Sequence, residues 1–311
     1  MAAAAIVVQA VTTIERMPSH RRAVTDGGVL ARAPSGGLVI SAIASVQIGA
    51  AVAVKLFPWV GPGGAVLLRL ASATAVLVSV WRPRVRGRTR HEWLLAATFG
   101  FTLAAMNFCI YSAIDRIPLG IAVALEFIGP LAVAIAGSRR LIDLLWVALA
   151  AAGIIALTRG GTHGLDAVGV LFAILAGCFW GAYILLSARV GRAFERGTGL
   201  ALAMLFATIY ALPVGIHAGG AHLLEPRSLA LGAAVGILSS AIPYSFELEA
   251  LRRIRPHVFG VLMSLEPAMA AIAGFIVLGQ HLSARGVLGI ALVVTASIGA
   301  SRPGTARAID V

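Results

Sequence analysis

The sequence predicts an all-α, polytopic membrane protein with ten transmembrane helices arranged as two inverted repeats of five helices. Three observations predict this fold: an apolar composition, ten apolar segments separated by short basic loops, and an internal repeat. Of the 311 residues, 59% are hydrophobic and 12% are charged, and the mean hydropathy is +0.93. An average soluble domain is about 25% charged. The composition therefore excludes a soluble enzyme of one or two domains, and it excludes a disordered chain, which would be rich in charge.

Ten apolar segments follow one another from Val39 onward. A helix needs about 20 apolar residues to cross a bilayer, and every segment is long enough or nearly so. None shows the period-two alternation that is typical of a membrane β-barrel strand. The segments cover roughly residues 39–57, 63–81, 93–114, 118–137, 142–158, 166–187, 198–217, 229–250, 256–278 and 284–301.

The two ends of the chain differ from these segments. Residues 1–37 carry many charged residues together with Pro and Gly, and we expect a disordered, basic cytoplasmic tail there. The opening residues lack the positive start and the small-residue cleavage site of a signal peptide. Met1 and Met17 both stay open as the start of the protein. Residues 302–311 predict a second cytoplasmic tail.

The basic residues alternate from loop to loop, which predicts the orientation of the chain. With the N-terminal tail in the cytoplasm, 19 of the 25 basic residues fall in the tails and cytoplasmic loops, and four fall in outer loops. This positive-inside bias predicts an even number of helices with both termini cytoplasmic, in a cell (plasma or inner) membrane. Because the same bias explains the net charge of +12, we expect no nucleic-acid partner.

The fourth and ninth segments resemble each other at a constant offset of 137 residues. The offset aligns Pro130 with Pro267 and superimposes two Ala-Ile-Ala-Gly runs. A period of five segments is odd, so the second unit enters the membrane from the opposite side, as in many secondary transporters. We therefore expect one five-helix repeat over residues 38–158 and a second over 166–301. Chance similarity between Ala- and Gly-rich helices is the alternative.

Pro130 and Pro267 predict helix breaks inside the membrane. A proline in a helix removes one backbone hydrogen bond and clashes with the preceding turn. In a bilayer the freed carbonyl groups must be satisfied by protein or by water in a cavity. Paired interrupted helices at matching positions therefore indicate a central binding site. A packing kink without a ligand is the alternative.

Charged side chains inside the apolar segments need a reason, since a charge at the bilayer centre costs about 2.5–3.5 kcal/mol on insertion scales. Glu126 and Glu266 lie near the middle of the fourth and ninth segments, Arg69 lies within the second, and Glu247 lies near the inner end of the eighth. A buried carboxylate can exchange protons near neutral pH or hold a substrate ammonium, and Arg69 can hold a carboxylate with its bidentate fork. These residue types match a zwitterion such as an amino acid. A structural Arg69–Glu126 ion pair is the alternative.

Several uncharged side chains on the same segments could line a cavity or could equally form helix–helix hydrogen bonds. They are Gln47, Asn107, Tyr111, Trp180 and Tyr244. Two pairs of small residues, Gly177 with Gly181 and Gly232 with Gly236, predict helix-packing faces, and a homodimer contact is the alternative use of such a face.

No catalytic motif and no metal-ligand spacing occurs in the sequence. The HExxH, GxSxG and P-loop patterns are absent, and the seven histidines fall in tails, loops or helix ends. We therefore expect neither an enzyme nor a metal or cofactor site. Without a Walker motif, we do not expect ATP-driven transport by this chain alone.

Several stretches of the chain resemble a known family. They are residues 55–58 with 69–70, 117–127 with 129–134, 243–247, and 262–268. These stretches resemble the RhtA-type threonine/homoserine exporters, a branch of the EamA family in the drug/metabolite transporter superfamily, and the similarity runs from about residue 41 to residue 301. The resemblance implies ten helices, two inverted five-helix repeats, and export of small amino acids driven by the proton gradient. The tail at 1–37 and the arginine-dense loop at 82–90 depart from the pattern.

We therefore expect a secondary transporter that exports small amino acids by alternating access, with threonine and homoserine as the first candidates and protons as the coupling ion. In this interpretation Glu126 binds the ammonium or the proton, Arg69 binds the carboxylate, and Glu266 supports the second half. A broader drug or metabolite exporter of the same superfamily is an alternative. A membrane sensor or scaffold that transports nothing is disfavoured, because the loops leave no room for a soluble output domain.

Overall fold

A computed structural model describes residues 35–83, 85–136, 141–158, 165–195, 197–243, 246, 250 and 256–300. All regular structure within these residues is helical. Two of the predicted site residues, Tyr244 and Glu247, lie outside the described residues, as do most of the two predicted tails. The exception is the end of the N-terminal tail, because residues 35–37 begin the first helix and are not part of a tail.

The first half of the described chain forms six helices. They are α1 (Ser35–Val54), α2 (Phe57–Trp81), α3 (Arg90–Ile114), α4 (Leu119–Glu126), α5 (Ile128–Ala136) and α6 (Leu141–Thr158). Helix α3 begins with a capping box, in which the Thr89 hydroxyl accepts from the Glu92 backbone N–H and the Glu92 carboxylate accepts from that of Thr89. This reciprocal pair satisfies two backbone donors that a helix start otherwise leaves open.

The second half contains six further helices, one 3₁₀ turn and one π-helical turn. The helices are α7 (Ala167–Ala193), α8 (Thr198–Gly219), α9 (Pro226–Gly236), α10 (Pro256–Met263), α11 (Glu266–Leu278) and α12 (Ala284–Ala300). A 3₁₀ turn at Gly220–Leu224 joins α8 to α9, and a π-helical turn at Ile237–Ala241 continues α9. Helix α7 extends past the predicted end of the sixth segment at residue 187.

The helices are long and apolar enough for a multi-pass membrane protein. Among the described residues, six helices could cross a bilayer by length and hydropathy, and three shorter apolar helices accompany them. Large apolar side chains face outward on several of these helices, for example Leu144, Ile276 and Val287, which are 64%, 72% and 57% exposed. Such an apolar outer surface is unusual for a soluble monomer and suits contact with lipid.

The fourth and ninth segments are both interrupted, as their prolines predict, but the breaks lie before the prolines. The first break is at Phe127, between α4 and α5, and the second is at Ser264–Leu265, between α10 and α11. Pro130 lies inside α5, and Pro267 lies in the first turn of α11. The reason is that a proline ring disturbs the turn that precedes it, whereas proline itself fits the first turn of a helix.

The connection between the first two helices differs from the prediction of a loop at residues 58–62. Only Lys55 and Leu56 separate α1 from α2, and the irregular point lies within α2 at Gly61, where φ is 64° and ψ is 172°. Pro62 disfavours a helical conformation at the residue before it. Glycine adopts the positive φ at that position without steric cost.

The interrupted segments each pack against the opposite half of the chain. Helices α4 and α5 contact α7, whereas α10 and α11 contact α1, and α4 crosses α11. The remaining large contacts join α2 to α8, α3 to α7 and α8, and α6 to α12. The two predicted packing faces serve these contacts within the chain, since Gly177 lies against Glu126 and Gly236 against Ser72. The arrangement places both helix breaks side by side in the middle of the bundle.

Candidate functional site

A cavity of about 410 Å³ lies between the two halves, next to both helix breaks. This volume falls in the range of small-molecule sites, about 300–1,000 Å³. The predicted site residues that line it are Gln47, Arg69, Asn107, Tyr111, Glu126, Pro130, Trp180 and Glu266. Pro267 is buried beside Glu266 but does not contribute to the wall. Side chains that are far apart in the sequence therefore meet in one place.

Glu126 is the last residue of α4 and forms part of the cavity wall. Its side chain is buried, and no hydrogen bond to another described residue holds its carboxyl group. Glu266 and Arg69 belong to the same cavity wall. Pro130 lacks an N–H, so it leaves the Glu126 backbone carbonyl without its usual helical partner. A Cβ atom on Gly177 of α7 would lie only 2.6 Å from that carbonyl oxygen, so the two backbones approach closely there.

Glu266 is the first residue of α11 and binds a side chain from the other half of the chain. The Gln47 amide on α1 donates a hydrogen bond of 3.1 Å from Nε2 to Glu266 Oε1. Gln47 is 2% exposed and Glu266 is 8% exposed, so this contact is shielded from solvent. A hydrogen bond to a charged group in such surroundings is stronger than one between neutral groups. The pair ties α1 to α11 at the edge of the cavity.

Arg69 lies halfway along α2 and is positioned by Tyr111. Its Nη1 donates to the Tyr111 hydroxyl at 3.2 Å, and its guanidinium carbon lies 5.5 Å from the centre of the Tyr111 ring. Tyr111 is itself almost fully buried and packs against Phe57. Among the ion pairs of the described residues, none joins Arg69 to Glu126. The two side chains contribute to the cavity wall without forming that structural ion pair.

Aromatic and amide side chains complete the wall predicted from the sequence. Trp180 packs edge-to-face against Phe127 at the first helix break, with ring centres 5.2 Å apart. Asn107 donates from Nδ2 to the Leu103 carbonyl of its own helix at 2.8 Å. One N–H of the Asn107 amide is therefore used within the helix, and its second N–H and its amide oxygen are what the residue can offer a ligand.

The sequence analysis missed several serines that line the cavity. Ser239 and Ser240 lie on the π-helical turn and Ser297 lies on α12, and all three are buried. Serine carries no charge and is common in membrane helices, so its hydropathy does not distinguish a cavity-lining serine from any other. The adjacent serine pair at 239–240 inside an apolar segment was the one available signal.

The described part of the cavity wall offers one guanidinium, two carboxyl groups, and a set of hydroxyl and amide groups among aromatic and aliphatic side chains. Among the described residues, no cluster of His, Cys, Asp and Glu could hold a metal ion. Opposite charges within one cavity suit a small ligand that carries both an ammonium and a carboxylate, since each charge needs a partner when it leaves water.

Comparisons with known proteins identify relatives of the chain. Residues 167–302 match the model of the EamA-like transporter family. A protein named threonine/homoserine exporter RhtA in Salmonella typhimurium (strain SL1344) is 40% identical over 267 residues, which is 85% of this chain and 90% of that protein. The protein of the same name in Escherichia coli (strain K12) gives the same identity and coverage. A protein named uncharacterized transporter YwfM in Bacillus subtilis (strain 168) is 25% identical over 235 residues, which is 72% of this chain and 79% of that protein.

A solved crystal structure shares the fold. It matches 86% of this chain and 96% of its own chain with a TM-score of 0.60, at 17% sequence identity. The relatives that carry functional names are transporters and exporters, not enzymes. Identity of 40% across most of both chains, together with membrane-length helices around a central cavity, leads to one conclusion. The chain is a multi-pass membrane transporter and belongs to the EamA-like transporter family.

Proposed function

We propose that this protein exports small amino acids, with threonine and homoserine as the first candidates, from the cytoplasm across the inner (plasma) membrane. The observation that carries the proposal is the charge set of one cavity, where Arg69 faces the same space as Glu126 and Glu266. In this mechanism Arg69 binds the substrate carboxylate and Glu126 binds the ammonium. The names of the 40% identical relatives support the choice of substrates.

Charge balance in the cavity supports coupling to protons. Among the described residues, the cavity wall holds one basic and two acidic side chains, and an amino acid zwitterion adds one charge of each sign. Within this set the negative charges exceed the positive charges by one when the substrate is bound, and an excess charge in a poorly solvated site is costly. A proton on one carboxylate removes the excess. A proton and the substrate ammonium then compete for the same carboxylates, which is what exchange of one for the other requires.

The packing of the helices supports two inverted repeats of five segments, at residues 38–158 and 166–301. Each interrupted segment contacts the first helix of the other half, and α2–α8, α6–α12 and α4–α11 join equivalent segments of the two halves. A two-fold relation between the halves produces this pattern. Alternating access then follows from rocking of one repeat against the other around a fixed central site.

Orientation and assembly complete the proposal. The basic loops favour a cytoplasmic location for both termini, with the residues before the first helix, 1–34, and residues 302–311 as cytoplasmic tails. A homodimer stays a prediction, and the small-residue faces that suggested it contact helices of the same chain.

A broader drug or metabolite exporter is the second candidate. The specific observation in its favour is the aromatic and aliphatic part of the wall, where Trp180, Phe127 and Tyr183 face the cavity. Such a surface binds many apolar ligands with little selectivity. The charged side chains favour the amino acid, because an apolar cargo offers nothing complementary to the charges that Arg69, Glu126 and Glu266 bring to the cavity wall.

Counterflow in proteoliposomes tests the proposal. Purified protein is loaded with unlabelled threonine, labelled threonine is added outside, and amino acids and unrelated metabolites are added as competitors. We expect transient accumulation of label that homoserine and other small neutral amino acids inhibit. Accumulation with another class of competitor would replace the substrate and keep the transporter, while no accumulation by folded protein with any compound would contradict transport. An imposed pH gradient that does not change net threonine flux would contradict proton coupling.

A further inference from the structure

We propose that the π-helical turn at Ile237–Ala241 forms a subsite for the side-chain hydroxyl of the substrate, with Ser239 and Ser240 as the residues that bind it. The inference rests on the proposed function, because it concerns how the same cavity would select hydroxylated amino acids. The turn interrupts the eighth segment at the cavity wall, and both serines belong to that wall. Single π-helical turns inside α-helices occur frequently at functional sites.

The turn is held in a fixed position against α1. Ser45 donates a hydrogen bond of 2.7 Å from its hydroxyl to the Leu238 carbonyl. Gly49, one turn further along α1, leaves the space that the Ser239 hydroxyl occupies, and a Cβ atom at position 49 would also lie 3.1 Å from Leu238 Cβ. Two contacts at one-turn spacing therefore set the distance between α1 and the two serines.

The same helix also carries Gln47, which donates to Glu266 at the edge of the cavity. The serine subsite and the second carboxylate are thus built on opposite flanks of one helix. A ligand that reaches Glu266 or Glu126 with its ammonium can direct its side chain toward the turn.

The Ser239 hydroxyl is buried and has no hydrogen-bond partner among the described residues. Other buried hydroxyl groups of this region are satisfied, as in the 2.8 Å contact between Ser264 and Ser297. A buried polar group without a partner is costly. Ser239 belongs to the cavity wall, and the proposal requires a χ1 rotamer that turns its hydroxyl from Gly49 toward the cavity. A ligand hydroxyl is a suitable partner, since it can both donate and accept.

The chemistry of the two candidate substrates provides a sharp test. Threonine and homoserine differ in the position of the hydroxyl, and removal of that hydroxyl converts either one into 2-aminobutyrate. The ammonium and carboxylate are the same in all three compounds. The ratio of their affinities therefore isolates the hydroxyl contact from the contacts with Arg69 and Glu126.

The experiment measures inhibition of threonine counterflow by threonine, homoserine and 2-aminobutyrate in wild-type protein, in Ser239→Ala and Ser240→Ala, and in the double variant. We expect the preference for the hydroxylated amino acids over 2-aminobutyrate to fall about 5- to 10-fold in the double variant, the loss typical of one hydrogen bond. The affinity for 2-aminobutyrate should stay the same. Ser187→Ala is the matched control, because its hydroxyl bonds to the Ile184 carbonyl within α7 and does not line the cavity.

Two results would overturn the subsite. One is a wild-type protein that binds threonine and 2-aminobutyrate equally well. The other is a folded double variant that weakens all three compounds alike, which indicates a role in packing. If an alanine variant does not fold, Ser239→Cys keeps the volume and replaces the hydroxyl with a weak donor, and an unchanged preference there counts against the proposal. Absence of any amino acid transport by wild-type protein contradicts the proposed function instead, and this outcome is recognised before any variant is compared.

Discussion

The two interrupted segments share a break and differ in where they place their acid. In the fourth segment the break follows Glu126, so this carboxylate lies at the C-terminal end of α4. In the ninth segment the break precedes Glu266, so that carboxylate lies at the N-terminal end of α11. The backbone of a helix carries a partial negative charge at its C-terminal end and a partial positive charge at its N-terminal end. The negative charge of Glu126 is therefore destabilised by the dipole of α4, whereas that of Glu266 is stabilised by the dipole of α11.

The surroundings of the two acids differ in the same sense. Glu266 accepts a hydrogen bond from Gln47, whereas Glu126 has no such bond among the described residues and is held through its backbone, which packs against Gly177. The prolines are equivalent in the two halves, but the acids are not. Both breaks precede a proline, whereas the two acids lie on opposite sides of their breaks. We infer that Glu126 is the acid free to exchange ligands and that Glu266 is the acid held in place.

The largest expected effect comes from removing the charge of Glu126. We expect Glu126→Gln to lower threonine counterflow about 100-fold or more, because a desolvated ammonium loses its charged partner, at a cost of about 2–5 kcal/mol. Expression and melting temperature should stay unchanged, since no hydrogen bond of the described structure is lost. Glu225→Gln, at the exposed start of α9, is the control and should transport normally. Normal transport by Glu126→Gln would give the role of ligand exchange to another residue.

The contact that holds Glu126 is tested by two glycines on the same helix. In Gly177→Ala the new Cβ atom would lie 2.6 Å from the Glu126 carbonyl oxygen, so α7 and α4 must separate. Overpacking of this kind costs about 1–3 kcal/mol, and we expect transport to fall about 10-fold with a lower melting temperature. In Gly181→Ala the nearest atom is 3.4 Å away, an ordinary contact. Equal loss of transport in both variants would show that the helix as a whole, and not the contact with Glu126, is sensitive.

On the Glu266 side, the expected effect is smaller and concerns affinity. Gln47→Leu removes the donor to Glu266 Oε1, and loss of a buried partner to a charged group costs about 1–3 kcal/mol. We expect the KM for threonine to rise about tenfold, while the maximal rate changes little. The comparison variant is Gln280→Leu, which removes the acceptor for the Leu119 backbone N–H at the start of α4 and lies outside the cavity. It should lower the melting temperature and leave KM unchanged. A KM that responds equally to both would make Gln47 a packing residue.

The sequence was sufficient to predict the site residues whose charges are energetically unfavourable in a bilayer. Charges are so unfavourable in a bilayer that Arg69, Glu126 and Glu266 could be chosen without a structure, and all three line one cavity. Pro130 and Pro267 likewise predicted interruptions in the fourth and ninth segments. Their roles in transport remain predictions, which the variants above address.

Other features of the site depend on contacts between distant segments, and the local sequence does not predict them. Nothing in the sequence near Gln47 shows that it meets Glu266, 219 residues away. The π-helical turn lies in an ordinary apolar stretch, and its serines have neither charge nor a special period. Asn107 lines the cavity and also donates to the Leu103 carbonyl of its own helix, and its sequence position alone did not distinguish these uses. A helical segment can satisfy a polar group in several ways, and only the packing decides among them.

The smallest expected effect concerns the N-terminal ends of α4 and α7, away from Glu126. Asp166 caps α7 by accepting from the Val168 backbone N–H at 2.8 Å, and it pairs with Arg116, just before α4, at 3.1 Å. The Val168 N–H, followed by the Arg116 guanidinium, holds the pKa of Asp166 below its usual range. A carboxyl group with a lowered pKa in the folded state stabilises the fold at neutral pH, and this contribution disappears as the pH falls through that pKa.

Asp166→Asn keeps a capping oxygen and removes the charge, so we expect the melting temperature at pH 7 to fall by about 2 °C or less, as for other exposed ion pairs. Below the pKa of Asp166 the variant and the wild type should melt together, because the wild-type carboxyl group is then also neutral. Melting curves in nanodiscs at pH 7 and at a series of acidic pH values measure both points. If Asp166→Asn were as damaging to transport as Gly177→Ala, the fourth segment would be held on α7 by this outer ion pair. The buried contact between Gly177 and the Glu126 backbone would then not be what holds Glu126 in position.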